Sequence, residues 1–195
     1  MRLRSGALVA ALGIAFTALL ARQAATVGVA GPGGAATTDA PHAVWTEVKW
    51  PFLVDEWGSG RAYRCTGADC GSGIDLYLRA KVGFCNCTTG VSDNDDLDRV
   101  GDIALFGDSF VGLTDGRPVD VGAMKGRSRL YHVAIPYAQP RDMLAIAFND
   151  QCDVAVATVV AERDRLIQAE RLALDFLNTD PVLRWAQAEL GRNGI

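Results

Sequence analysis

The stretch WGSGRAYRCTGADCGSGIDLYLRAKVGFCNCTTG, residues 57–90, contains four of the five cysteines of the chain. They form two pairs, Cys65/Cys70 and Cys85/Cys87, on either side of the alternating segment Ile74–Lys81. A period of two predicts a β-strand. We expect its apolar side chains to face the core and its polar side chains to face solvent or a partner; the polar set is Asp75, Tyr77, Arg79 and Lys81.

Two structural disulfides are the first interpretation of the four clustered cysteines, which allow three pairings. A Cys85–Cys87 bridge would close a very small, strained ring, so we favour pairing between the two pairs over that bridge. A Cys65–Cys70 bridge is compatible with the glycine-rich turn between them. A strand of eight residues spans about 26 Å, so the two pairs meet only if the chain folds back beside it.

The same four cysteines also fit a metal site or redox chemistry. Zinc prefers ligand pairs separated by two to four residues, whereas here the pairs have four residues and one residue between them. Copper(I) would accept fewer thiolates. A C-x-C pair such as Cys85/Cys87 can also cycle between dithiol and disulfide. We expect the fifth cysteine, Cys152, to be a buried free thiol in an apolar hairpin.

Residues 1–30 have the order of a secretory signal: two arginines, an apolar run at 6–21, and then small residues. The run has 16 residues and is short for a membrane span of about 20. We therefore expect a cleaved signal peptide, with an uncleaved inner-membrane anchor as the alternative. Both predict an exported, periplasmic or extracellular protein in which disulfides persist.

The remainder of the chain is acidic. The formal net charge is −4, and residues 31–195 carry 16 basic against 23 acidic side chains. Such a body repels phosphate backbones, so we expect no nucleic-acid partner. We expect membrane contact only through an uncleaved N-terminal segment, and a partner that is another exported protein or a small ligand.

The pattern after residue 43 predicts one α+β domain at 44–195, preceded by a flexible linker at 31–43. We expect an antiparallel sheet of about five to seven strands, including a hairpin of 143–148 with 153–160, and a turn at Lys125-Gly126. A short helix begins at Ser92, and C-terminal helices at 162–177 and from Asp180 pack on the sheet. This order of hairpins and closing helices loosely resembles the PsbP/Mog1 architecture.

Trp45, Trp50 and Trp57 fall within 13 residues. They are candidates for an exposed binding platform, although aromatic side chains more often complete a core. His132 lies on a predicted strand, and we expect it to be a half-buried, hydrogen-bonded histidine. The acidic run at 93–98 lacks the glycine and glutamate that a calcium loop requires and instead marks a helix start.

The block Phe106-Gly107-Asp108-Ser109 resembles the nucleophile motif of the GDSL-type (SGNH) esterases, and Phe148-Asn149-Asp150 resembles a later block of that family. The resemblance implies a small hydrolase with Ser109 as nucleophile. The family's C-terminal histidine has no counterpart, since no histidine follows His132. We therefore predict a non-catalytic, exported binding or accessory domain stabilised by disulfides, with a zinc or copper protein, a thiol-redox protein and a hydrolase as alternatives.

Overall fold

An eight-stranded antiparallel sheet forms the centre of the protein, for which a computed structural model describes residues 43–191. The strands are β1 (Val44–Val48), β2 (Arg61–Thr66), β3 (Ile74–Lys81), β4 (Ser109–Gly112), β5 (Arg117–Val121), β6 (Met124–Ala134), β7 (Arg141–Asp150) and β8 (Asp153–Val160). Their order is β1-β2-β3-β8-β7-β6-β4, and β5 also pairs with β6. The predicted α+β class with C-terminal helices is confirmed, and the sheet is larger than expected because the edge strands β1 and β4 carried no clear apolar alternation.

Both faces of the central strands are covered. On β7, Leu144 and Ile146 pack toward the C-terminal helices, whereas Met143 and Ala145 pack on the opposite face. β8 is buried along nearly its whole length for the same reason. This explains why the predicted β7–β8 hairpin reads as continuous apolar sequence rather than as an alternation.

Two helices, α2 (Leu166–Leu177) and α3 (Asp180–Leu190), cover one face of the sheet. Their buried side chains are mostly small, which allows close packing on the strands; they include Ala169, Ala173, Leu177, Val182, Ala186 and Leu190. The start of the predicted 162–177 helix is a 3-10 turn, Arg163–Arg165. The N-cap of α3 is Thr179, one residue before the predicted Asp180.

The other face is covered by helix α1 (Asn94–Val100) and the segments around it. Leu97, Val100 and Ile103 are buried there against strands β6 to β8. The N-cap is Asp93 rather than the predicted Ser92: its side chain accepts a hydrogen bond of 2.8 Å from the backbone N–H of Asp96. The acids of this run therefore start a helix, as the sequence indicated.

The turn predicted at Lys125-Gly126 is wrong. Both residues lie inside β6, and the chain reverses earlier, at Gly122, which has a positive φ of 59°. Gly126 is a glycine for a different reason: a Cβ there would collide with the carbonyl oxygen of Ala147 on β7. The sequence alone therefore did not distinguish a glycine that close contact between strands requires from a glycine in a turn.

The predicted signal segment and nearly all of the predicted linker lie outside the described residues. Within 43–191, no helix is both long enough and apolar enough to span a membrane.

Candidate functional site

The cysteines form two disulfides, Cys65–Cys70 and Cys87–Cys152, with Cα–Cα distances of 5.8 and 4.0 Å. The Cys65–Cys70 bridge that the sequence allowed is formed, whereas pairing between the two clustered pairs, which we favoured over a Cys85–Cys87 bridge, is absent because the pairs lie at opposite ends of β3. Cys65 is the register partner of Ile74 at the start of that strand, and Cys87 follows its end. The four clustered sulfurs therefore do not converge on one point, and residues 43–191 contain no group of three or more His, Cys, Asp or Glu placed to hold a metal ion.

Cys85, and not Cys152, is the unpaired cysteine. Its backbone N–H donates to the Cys152 carbonyl at 3.0 Å, so the β7–β8 turn lies directly beside the C-x-C segment. The Cys85 thiol is buried and lies 3.3 Å from the Gln151 carbonyl oxygen. Burial raises the pKa of this thiol, so little of it is the reactive thiolate at neutral pH.

The three candidate tryptophans do not share one surface. Trp45 stacks on Phe176 of α2, with ring centroids 4.8 Å apart. Trp50 contacts Tyr77 edge-on, on the other face of the sheet. Trp57 packs on Phe84 at 4.7 Å. Each tryptophan is half-buried against the domain.

Arg79 and Lys81 were expected to face solvent or a partner, but both side chains are buried, with exposures of 3% and 6%. Arg79 makes two hydrogen bonds to Asp102, at 2.6 and 2.9 Å, and two to Asp55, at 2.6 and 2.7 Å. Lys81 donates to the Val100 carbonyl and pairs with Asp102, both at 2.8 Å. The helix α1 segment covers this face, so the polar side of β3 forms an internal ion-pair network.

A cavity with convergent polar groups lies where β6, β7 and the 3-10 turn before α2 meet. Its volume is about 630 Å³; its walls include Ser72, Gly73, Asp75, His132, Pro140, Arg141, Asp142, Glu162 and Arg163. We call it the His132 cavity.

His132 and Asp142 are register partners on β6 and β7. The Nδ1 atom of His132 lies 2.7 Å from Oδ1 of Asp142, and the other carboxylate oxygen accepts a hydrogen bond from Nε of Arg163. Arg163 and His132 hold the pKa of Asp142 below its usual range, so this buried carboxylate is ionised at neutral pH. The hydrogen bond to Nδ1 fixes the ring orientation, and Nε2 has no hydrogen-bond partner among residues 43–191.

The loop closed by the Cys65–Cys70 disulfide leads into the opposite wall, Ser72 and Gly73. Helix α2 holds this loop: Arg165 and Gln168 both donate to the Asp69 carbonyl, at 3.2 and 3.1 Å. The Arg165 guanidinium also occupies the space that a Cβ would need at Gly71. The disulfide and α2 together therefore preform this wall of the cavity.

The charged groups around the cavity are only partly paired. Asp75 is bound in a bidentate pair by Arg64, at 2.6 and 3.2 Å. The Arg163 side chain is 74% exposed, and only its Nε is engaged by Asp142. Among the described residues, Arg141 and Glu162 have no side-chain ion pair or hydrogen bond.

A second cavity of about 440 Å³ lies at the other end of the sheet, beside the Cys87–Cys152 disulfide. Its lining contains several hydroxyl and amide side chains, namely Thr88, Thr89, Asn149, Gln151 and Gln187. Each disulfide thus belongs to a loop that lines a cavity.

The two blocks that resemble the GDSL-type esterases lie far apart. Ser109 is the first residue of the edge strand β4, opposite Ala134 on β6 and two positions along that strand from His132. Asn149 and Asp150 are at the far end of β7 from Asp142. The blocks therefore do not form one site, although Ser109 is near His132 in the sheet register.

Sequence reasoning singled out His132 but missed Asp142 and Arg163. Asp142 carried no signal of its pairing with His132, because it lies outside the predicted strand 143–148 and the pairing depends on the register of β6 with β7. Arg163 carried no such signal, since its approach depends on how α2 packs.

In comparison with known proteins, no protein-family model and no curated protein matches the chain.

Proposed function

We propose that the protein is an exported, disulfide-stabilised domain that acts by binding a small polar ligand in the His132 cavity. One observation carries this proposal: a buried carboxylate, Asp142, orients the imidazole of His132 beside the cavity, and no residue in the described part of the chain hydrogen-bonds to Nε2. Buried polar side chains normally satisfy one another. A half-buried ring with one satisfied and one unsatisfied nitrogen is suited to contact a ligand.

The rigidity of the cavity walls supports this proposal. The Cys65–Cys70 bridge and the hydrogen bonds from α2 constrain the loop that leads to Ser72 before any ligand binds. Preformed walls reduce the entropy lost on binding. The two disulfides are also typical of proteins in oxidising compartments, which supports a periplasmic or extracellular location.

Thermal denaturation of the oxidised protein tests the proposal, with sulfate, lactate, glycine and glucose as separate probes. A ligand at 100 times its Kd stabilises a folded protein by about 2.7 kcal/mol. We expect at least one probe to raise the Tm of the wild type. The His132→Gln variant should lose that response, whereas the control His42→Gln, which changes the only other histidine, should keep it.

Either of two results would contradict the proposal. One is a wild-type protein whose Tm responds to none of the four probe classes. The other is a His132→Gln variant that folds and responds to the same probe as strongly as the wild type does.

Hydrolysis is the second candidate function, and the His132–Asp142 hydrogen bond favours it, because a carboxylate-oriented imidazole is the usual general base for a serine. Ser72 lines the same cavity, and Ser109 pairs with Ala134, which is two residues from His132 on β6. Turnover of p-nitrophenyl acetate that His132→Gln and either Ser72→Ala or Ser109→Ala abolish would support an enzyme. Equal rates in all four proteins would exclude these residues as its machinery.

A further inference from the structure

The charges around the His132 cavity balance only when His132 is neutral. Arg141 and Arg163 line the cavity together with Asp75, Asp142 and Glu162. Arg64 does not line it but neutralises Asp75 through a bidentate pair, so three positive charges balance three negative ones. The neighbouring edge strand β4 has the sequence SFVG and adds no charge. Protonation of His132 would therefore leave the cavity with a net charge of +1.

We propose that the His132 cavity is an anion site, for a small carboxylate or a tetrahedral oxyanion, and that protonation of His132 raises its affinity. This inference rests on the binding site assigned under the proposed function and names the class of ligand.

The available donors fit an anion. Arg141 and the terminal nitrogens of Arg163 bring guanidinium groups to the cavity, and Ser72 adds a hydroxyl group. Guanidinium groups bind carboxylates and oxyanions through paired N–H donors. The carboxylate of Asp142 is nearly buried and is already hydrogen-bonded by both His132 and Arg163. It therefore repels a bound anion less than a free carboxylate would.

His132 supplies the pH dependence. Imidazole is the ordinary side chain whose charge changes between pH 5 and 8. In the protonated ring, Nε2 is a charged hydrogen-bond donor. In the neutral ring, whose Nδ1–H donates to Asp142, Nε2 is only an acceptor. An anion should thus be held more tightly when the His132 ring is protonated.

Isothermal titration with sulfate at pH 5.5 and pH 8 tests the inference, since sulfate remains a dianion at both values. We expect sulfate to bind about fivefold more tightly at pH 5.5, because one partly exposed charge pair typically changes the binding free energy by that amount. Lactate, in parallel, distinguishes a carboxylate site from a tetrahedral oxyanion site. Arg141→Gln should weaken binding at both pH values, and Arg184→Gln, on the exposed side of α3, is the matched control.

An NMR titration of the His132 ring provides a second measurement. Because linkage is reciprocal, an anion that prefers the protonated ring must raise the titration midpoint of His132. Equal sulfate and lactate affinities at the two pH values, or an unchanged midpoint at saturating anion, would overturn the inference. Binding of glycine or glucose that depends on His132, without binding of either anion, would also overturn it, while the proposed function would stand.

Discussion

At the scale of single residues, Asp142 connects two neighbouring elements. Its carboxylate is 5% exposed and accepts hydrogen bonds from His132 and Arg163. We expect Asp142→Asn to lower the free energy of unfolding at pH 7 by about 1–3 kcal/mol, since the amide cannot satisfy both donors. The control is Asp164→Asn, an exposed residue in the 3-10 turn that contains Arg163.

The effect of Asp142→Asn should depend on pH. Because the folded-state pKa of Asp142 is lowered, its ionised form stabilises the protein above the unfolded pKa of about 3.9. That contribution is lost as the pH falls through the lower folded-state pKa. Thermal melts at neutral and strongly acidic pH should therefore show the variant and the wild type converging in acid. A constant difference would contradict the role given to this charge.

Cys85 should be the only free thiol of the oxidised protein and should react slowly. Its buried thiol has a raised pKa, so we expect a thiol reagent to label it slowly in the native state and fast after unfolding in urea without reductant. Labelling followed by mass spectrometry measures both rates. Cys85→Ser should show no labelling in either state. Fast native labelling, or more than one labelled cysteine, would refute the assignment.

Some of these residues could be assigned from sequence and others could not. The Cys65–Cys70 bridge was among the pairings that the local sequence allowed, because a glycine-rich turn joins the two cysteines. The partner of Cys87 was not accessible in this way, because Cys152 reaches it only through the pairing of β3 with β8. Neighbours across a hairpin follow from local pattern, whereas neighbours across a long-range strand pair depend on the order of the whole sheet.

At the scale of elements, the neighbouring strands β2 and β3 contribute Arg64 and Arg79, which both pair with carboxylates but in different surroundings. Arg79 is buried and bound by Asp55 and Asp102, whereas Arg64, on the adjacent β2, binds Asp75 at the surface. We expect Arg79→Met to cost about 3–5 kcal/mol of unfolding free energy, because it leaves buried charge uncompensated. Arg64→Met should cost at most about 1 kcal/mol.

Urea unfolding of the two arginine variants measures this difference. Equal losses of unfolding free energy in the two variants would mean that the Arg79 network stabilises the fold no more than an exposed ion pair does. The alternation of β3 predicted the separation of its two faces. It did not show that α1 would cover the polar face, because polar side chains alternate every two residues whether that face is covered or exposed to solvent.

At the scale of the whole molecule, the two disulfides should contribute unequally to stability. They close loops with sequence separations of 5 and 65. In the chain-entropy description, loops of these lengths correspond to about 2 and about 4 kcal/mol. We therefore expect Cys87→Ser/Cys152→Ser to be more destabilising than Cys65→Ser/Cys70→Ser in urea unfolding under oxidising conditions. The reverse order would show that local strain outweighs loop length.

The position of β8 in the sheet has a consequence for how the chain can assemble. β8 lies between β3 and β7 and joins β1-β2-β3 to the strands on the other side. Until residues 153–160 have been synthesised, the chain can form only two separate sheet fragments with open edges. Pairings between segments so distant in sequence form slowly. The native sheet can therefore close only after β8 is available.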